Sequence, residues 1–487
     1  MRKSLLLVLL ALTLTTGSAF ARVTITIVNN DPAGQGFNDP TPATPIGGNP
    51  GTTLGQQRLN AFKFAAGIWG EILESKVPIA IRATFSPITG GAACSSTTAV
   101  LGQAGTTNYV TNFPNAPLQN VGYPMALANA ISGQDLNQGG PEINAQFNSL
   151  VDNAQCLGES NWYYGFDGNH GIHTDLITVL LHEFAHGLGF AGNTSTDSGN
   201  VGGTSNTPTV FEVHTFDNLA GLRWNQMTPQ QRLISMANTG HLGWDGALTR
   251  EHAAALLKPT IVLAVNSPSP IAKNYDIGTA SFGQSLDLAA LTADVVAGLD
   301  AADAVGPTTT DGCSAYTNAS AVAGKWALVD RGPANGNPPC TFVLKAKNAQ
   351  AAGAAGIIVA DNRKETCAPP GMSGDDPSVT IPVISITQDD GAALRARLST
   401  GVNATIKVDP LQRSGMTQDG YPRLFAPCTV QPGSSIYHFD ISASPNLLME
   451  PAINDDLTHG VDLTIDQLRD IGWPIAAPQG RTILRRR

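Results

Sequence analysis

The sequence predicts an α+β protein whose chain is interrupted by an inserted α/β domain. Three observations lead there: a strand, helix, strand opening; an apolar helix that carries H-E-x-x-H; and a second strand, helix, strand pattern between residues 324 and 386. Residues 23–28 (V-T-I-T-I-V) alternate, which is the period-two pattern of a strand with one buried face. After a Gly and Pro rich loop, residues 56–73 place Leu59, Phe62, Ala66, Trp69 and Leu73 at helical spacing. Residues 78–85 alternate again, completing the opening unit. Residues 142–148 (E-I-N-A-Q-F-N) alternate as well and are expected to form a strand at the sheet edge. The apolar run D-L-I-T-V-L-L at residues 175–181 buries the next helix, with Gly187 and Gly189 to stop it.

That helix carries His182, Glu183 and His186. Residues four apart lie one above the other on a helix, so both imidazoles can face one Zn2+ while the Glu183 carboxylate sits beside it. Glu183 is placed to act as general base on water attacking a peptide carbonyl. The same five-residue pattern also arises by chance in helices that bind nothing. The apolar run before it and the glycines after it favour the metal reading. Two histidines leave zinc short of a protein ligand, so a third is expected elsewhere.

Through Gly189 the segment resembles the metzincins, whose extended motif is H-E-x-x-H-x-x-G-x-x-H, but the position of the last histidine holds Gly192. In the leishmanolysin-like branch an insertion displaces the third ligand, which is a His before an aromatic residue, followed by a turn bearing L-M-x-P. This chain has His438-Phe439 and then Leu448-Met449-Glu450-Pro451. The resemblance implies a metzincin-like catalytic domain with a mixed sheet and an active-site helix, an α/β-type zincin. It implies His182, His186 and His438 as zinc ligands, Glu183 as base, and Met449 as the Met-turn residue that packs beneath the metal. It also makes residues 142–148 the edge strand on which a peptide substrate could add as an extra strand. His241 and His214 compete with His438 for the third position, and Glu212 is an acidic option of the kind used by thermolysin-like enzymes. His170, His173, His252 and His459 complete the histidines.

The long interval between Gly192 and His438 is too large for a loop. Within it, G-K-W-A-L-V-D-R at 324–331, Cys340-Thr341-Phe342, an Ala-rich stretch at 345–356 and I-P-V-I-S-I at 381–386 resemble a protease-associated (PA) domain. The region holds no catalytic cluster and reads as a lid, a binding module or a spacer. The expected organisation is a signal peptide at 1–21, an N-terminal catalytic half at 22–192, an unassigned segment at 193–258, a PA-like domain at 259–410 and a C-terminal catalytic half at 411–487. Residues 464–473 (T-I-D-Q-L-R-D-I-G-W) are expected to form the closing helix, with Thr464 as its cap.

Length and composition fit this plan. A chain of 487 residues, 42% hydrophobic and 14% charged, is long enough for two or three folded domains. Met1-Arg2-Lys3, an apolar stretch at 5–14 and Ala19-Phe20-Ala21 read as a secretory signal cleaved after Ala21, so a secreted, extracellular protein is expected. No apolar stretch is long enough to span a bilayer. Six cysteines, with no C-x-x-C pair, fit disulfides, and proximity within the expected domains suggests Cys94 with Cys156, Cys313 with Cys340 and Cys367 with Cys428. A net charge of −10 argues against nucleic acid as a partner. Proteins or peptides are the expected substrates of a zinc-dependent metalloendopeptidase. The competing reading is a PA-bearing secreted binding protein whose zinc site is degenerate.

Overall fold

The computed structural model describes residues 22–476 apart from 90–93, 203–205, 287–289, 333–339 and 364–366. The expected signal peptide lies outside the described residues. Among the described residues no helix is long and apolar enough to cross a membrane.

The first unit is built around a four-stranded sheet of β1 (Ile25–Asn29), β2 (Ile79–Ser86), β3 (Gly102–Thr106) and β4 (Ile143–Asn148), in the order β1-β2-β4-β3. The first three in that order run parallel, and β3 closes the sheet antiparallel. Alternation sets the register: Ile81, Ala83 and Phe85 of β2 face Ile143, Ala145 and Phe147 of β4, and all six are buried. Helix α1 (Leu54–Ile72) is capped by the Thr53 side chain and buries Ala61, Phe62, Ala65, Ala66 and Trp69. Phe62 meets the rings of Phe147 and Phe184 at 4.8 and 6.1 Å, joining α1, the sheet and the next helix in one core.

Residues 142–148 therefore do not form the edge. The edge is β3, whose sequence G-Q-A-G-T has neither alternation nor β-branched bulk and gave no strand signal. Alternation in 142–148 reports a half-buried strand but not which strands flank it.

The unassigned segment after Gly192 joins the same core. Its short sheet of Thr215–Asp217, Leu222–Arg223 and Leu242–Trp244, with helices Val210–His214, Pro229–Ser235 and Ala247–Leu256, buries Phe211, Trp224, Met236 and Trp244 there.

A second sheet of eight strands follows: β5 (Pro259–Ser267), β6 (Asn274–Tyr275), β7 (Gly278–Thr279), β8 (Leu291–Ala297), β9 (Trp326–Asp330), β10 (Gly356–Ala360), β11 (Val383–Ile386) and β12 (Val402–Arg413). Its order is β6-β5-β12-β8-β9-β10-β11-β7. Strands β8 to β11 are parallel, and the nearly continuous apolar runs of β9 and β10 are buried on both faces, as a parallel sheet requires. Helix α3 (Phe342–Ala351) is the Ala-rich element read from sequence, and α4 (Gln388–Arg395) leads from β11 toward β12. The first and last strands, β5 and β12, pair antiparallel over most of their length. The chain thus enters and leaves this sheet side by side.

All three disulfides pair as proximity suggested, and Cys367–Cys428 links the second sheet's neighbourhood to the segment before His438. The closing helix α5 is Thr464–Asp470. Thr464 is its first residue and not its cap. Leu463 stands at the cap position with no side chain to offer, and Asp462, one residue further out, accepts the Thr464 N–H at 3.2 Å.

Candidate metal centre

Helix α2 (Leu176–Leu188) presents the H-E-x-x-H residues, and nearly all of it is buried. Its start is fixed by Asp175, whose side chain accepts from the Ile177 N–H. Gly189, at φ +132, caps its end, a conformation that a residue with a Cβ rarely adopts. Gly187 does not stop the helix as expected; it lies in the last turn, where a Cβ would come within 2.5 Å of Ile143. Two indoles hold the helix: Trp69 Nε1 donates to the Leu181 carbonyl at 3.2 Å and Trp473 Nε1 to the Leu188 carbonyl at 2.8 Å.

His182, His186 and His438 come together, one ring nitrogen from each lying within 4.8 Å of the others. Each Nδ1 lies 2.7 Å from a backbone carbonyl: that of Leu448 for His182, Phe190 for His186 and Ser434 for His438. A carbonyl can only accept, so each Nδ1 carries a proton. Burial, with mutual repulsion of the rings, lowers His182 to about 3 and His438 well below its usual range; burial lowers His186 to about 4. All three rings are therefore neutral at pH 7 and hold a single proton, on Nδ1. Every Nε2 is then a bare lone pair. Yet the Nε2 atoms of His186 and His438 approach that of His182 to 3.1 and 3.2 Å. Lone pairs facing at that distance repel unless a cation lies between them. Tetrahedral Zn–N bonds of about 2.0–2.1 Å would set the nitrogens about 3.3 Å apart, so the donor set fits zinc.

Glu183 is 8% exposed, and burial lifts its carboxyl to about 8 against the pull of the Ala104 N–H on β3. A Cβ on Gly102 would stand 3.1 Å from Glu183 Cγ. The edge strand is bare at that point, which leaves room for the carboxylate.

The sign of this shift gives a stability prediction. A pKa raised from 4.5 to about 8 means that ionising buried Glu183 opposes folding, with no cost below pH 4.5 and a cost that grows up to about pH 8. In metal-free protein, Glu183→Gln is expected to melt several degrees above the parent at pH 8–9 and level with it at pH 4.5. A difference that stays constant from pH 4.5 to 9 in calorimetry would remove the argument.

The alternative ligands are engaged elsewhere. His214 Nδ1 pairs with Asp245 at 2.9 Å and His241 Nδ1 with Asn218 at 2.8 Å. Fully buried Glu212 accepts from Asn193 N, Thr194 Oγ1, Thr209 N and Tyr437 Oη. It anchors the residue next to His438. His252 pairs with Asp466, and His459 with the helix cap Asp175. Met449 is fully buried, and its carbonyl accepts the Phe439 N–H at 2.7 Å, tying the turn to the segment that carries His438. Phe439 packs edge-on against Phe190, with centroids 5.0 Å apart.

Sequence reasoning missed β3 behind Glu183, the Glu212–Tyr437 anchor and Asp462. Asp462 accepts the Leu448 N–H at 2.6 Å, and burial raises its carboxyl to about 6.

Comparison with known proteins bears on the second sheet. Residues 291–394 match the family model of the PA domain. An aminopeptidase of Pseudomonas aeruginosa is 35% identical over 135 residues, which are 27% of this chain and 24% of that protein. Aminopeptidase YwaD of Bacillus subtilis is 45% identical over 73 residues, 15% of this chain and 14% of its own. Vacuolar-sorting receptor 2 of Arabidopsis thaliana is 37% identical over 91 residues, 17% of this chain and 14% of its own. The chain thus spans a quarter or less of these relatives. Among solved structures, the zinc aminopeptidase BSAP from Bacillus subtilis overlaps 34% of this chain and 36% of its own, at 24% identity and a TM-score of 0.22. Names as different as aminopeptidase and sorting receptor attach to these short shared stretches.

Proposed function

We propose that this protein is a secreted zinc-dependent endopeptidase with a leishmanolysin-like metzincin catalytic unit and a PA domain inserted in it. The observation that carries the reading is the convergence of three neutral imidazoles, each with its proton pinned to a backbone carbonyl. His182, His186 and His438 would hold Zn2+, and Met449 would form the apolar floor of the site. Zinc, when bound, supplies Lewis acidity toward a peptide carbonyl and acidifies water. Glu183 then takes a proton from the attacking water and delivers it to the departing amine. Protein or peptide substrates would lie along β3, whose outer backbone groups form the sheet edge, with the PA domain influencing which chains reach it.

The test is purified protein assayed for zinc and for cleavage of three substrates: casein, an end-blocked peptide and an aminoacyl anilide. One zinc per chain, with cleavage of casein and the blocked peptide, is expected. Cleavage confined to the anilide would make the protein an aminopeptidase. Absence of both zinc and cleavage would leave a PA-bearing binding protein with a degenerate site.

A further inference from the structure

We infer that Tyr437 and Glu212 are positioning residues for the third metal ligand, Glu212 acting through the Tyr437 hydroxyl to set where His438 stands. The inference rests on the zinc reading above. Helix α2 carries His182 and His186, whereas His438 lies on chain with no regular structure and needs another support. Ile436, two residues before it, is fully buried at φ +80. A β-branched residue enters that left-handed region at a cost, so contacts on either side must hold it there. On one side the Ile436 N–H donates to the Phe425 carbonyl at 2.7 Å. On the other stands Tyr437, whose hydroxyl accepts the Thr194 N–H at 2.9 Å and donates to Glu212 Oε1 at 3.1 Å. Its ring packs on Phe211, with centroids 5.5 Å apart.

The two oxygens of Glu212 divide their work. Oε2 takes the Thr209 N–H at 2.7 Å and so belongs to the start of the helix Val210–His214. Oε1 faces the metal-bearing segments: it accepts the Asn193 N–H at 2.8 Å, the Thr194 hydroxyl and the Tyr437 hydroxyl. Gly192 supplies the space for this contact. A Cβ there would fall 2.5 Å from Tyr437 Cε1 and 2.9 Å from Glu212 Oε1, so only bare backbone lets the ring and the carboxylate lie against the chain leaving α2. Two residues earlier in that chain, the Phe190 carbonyl holds the His186 Nδ1–H. One carboxylate therefore ties the segment behind His186 to the residue next to His438.

The experiment compares the parent with Tyr437→Phe, Glu212→Gln and the double variant in the full chain, by zinc competition against a chromophoric chelator and by the visible spectrum of the Co2+-loaded protein. Tyr437→Phe keeps the ring and removes only the anchored hydroxyl. It is expected to bind zinc roughly 10-fold more weakly, with shifted Co2+ ligand-field bands and unchanged circular dichroism. Glu212→Gln should act in the same direction, and the double variant should lose less than the product of the two single losses, because both break one contact. Thr209→Ala serves as the control: it removes the hydroxyl that accepts the Glu212 N–H, and so weakens the same helix start, but leaves every contact of Oε1. It should melt below the parent and hold zinc as the parent does. Parent-like zinc affinity and Co2+ bands in Tyr437→Phe overturn the inference and leave the zinc reading standing. So do losses that multiply in the double variant, or a loss of zinc in Thr209→Ala as large as in Tyr437→Phe. If the parent binds no stoichiometric zinc, both readings fall together.

Discussion

Glu183→Gln is expected to retain zinc and to lose hydrolysis by a hundredfold or more. The amide matches the carboxylate in shape, so the helix, the three imidazoles and the packing against Gly102 remain in place. What disappears is the group that accepts the proton of the attacking water, a contribution of about 10²–10⁴ in rate. Metal analysis and turnover of an end-blocked peptide, measured on one preparation, separate the two properties. Activity near that of the parent would remove Glu183 from the mechanism.

His438→Ala is the second large effect. It is expected to release zinc, as His182→Ala and His186→Ala should, while His214→Ala and His241→Ala retain it. Two imidazoles on one helix make a weak bidentate site, and the third closes it from a segment 256 residues away in sequence from His182. Removing the His438 ring costs more than a ligand, because the Ser434 carbonyl also loses its Nδ1–H partner. Zinc retained at one per chain after this substitution would mean that the third donor is another residue.

The helix that bears H-E-x-x-H was legible because its signals are local: spacing, an apolar run, and a glycine at its end. The strand, helix, strand opening was legible for the same reason, with bounds shifted by one or two residues. His438 could be suggested only by resemblance, through the residues around Met449, since nothing local distinguishes it from His214 or His241. What could not be read depends on pairing between distant segments. Gly102 and Ala104 gain significance only when β3 lies beside Glu183, and Asp462 only when the turn at Leu448 folds back upon it. Residues 193–258 matched no pattern, yet Phe211, Trp224 and Trp244 complete the first core, because aromatic burial there is set by partners on either side of the second sheet in sequence.

The Cys367–Cys428 bond changes what a backbone cut can do to this molecule. Its ends stand 61 positions apart in sequence, and it encloses β11, α4, β12 and the chain from β12 to Cys428 in a covalent ring. Together with the paired strands β5 and β12, it makes the inserted sheet a flap sewn along one side, where a single linker would have left a bead on a string. A nick anywhere in the ring opens it into two arms that remain one molecule. Severed loops there survive as scars, and only a reductant together with a cut sets a fragment free.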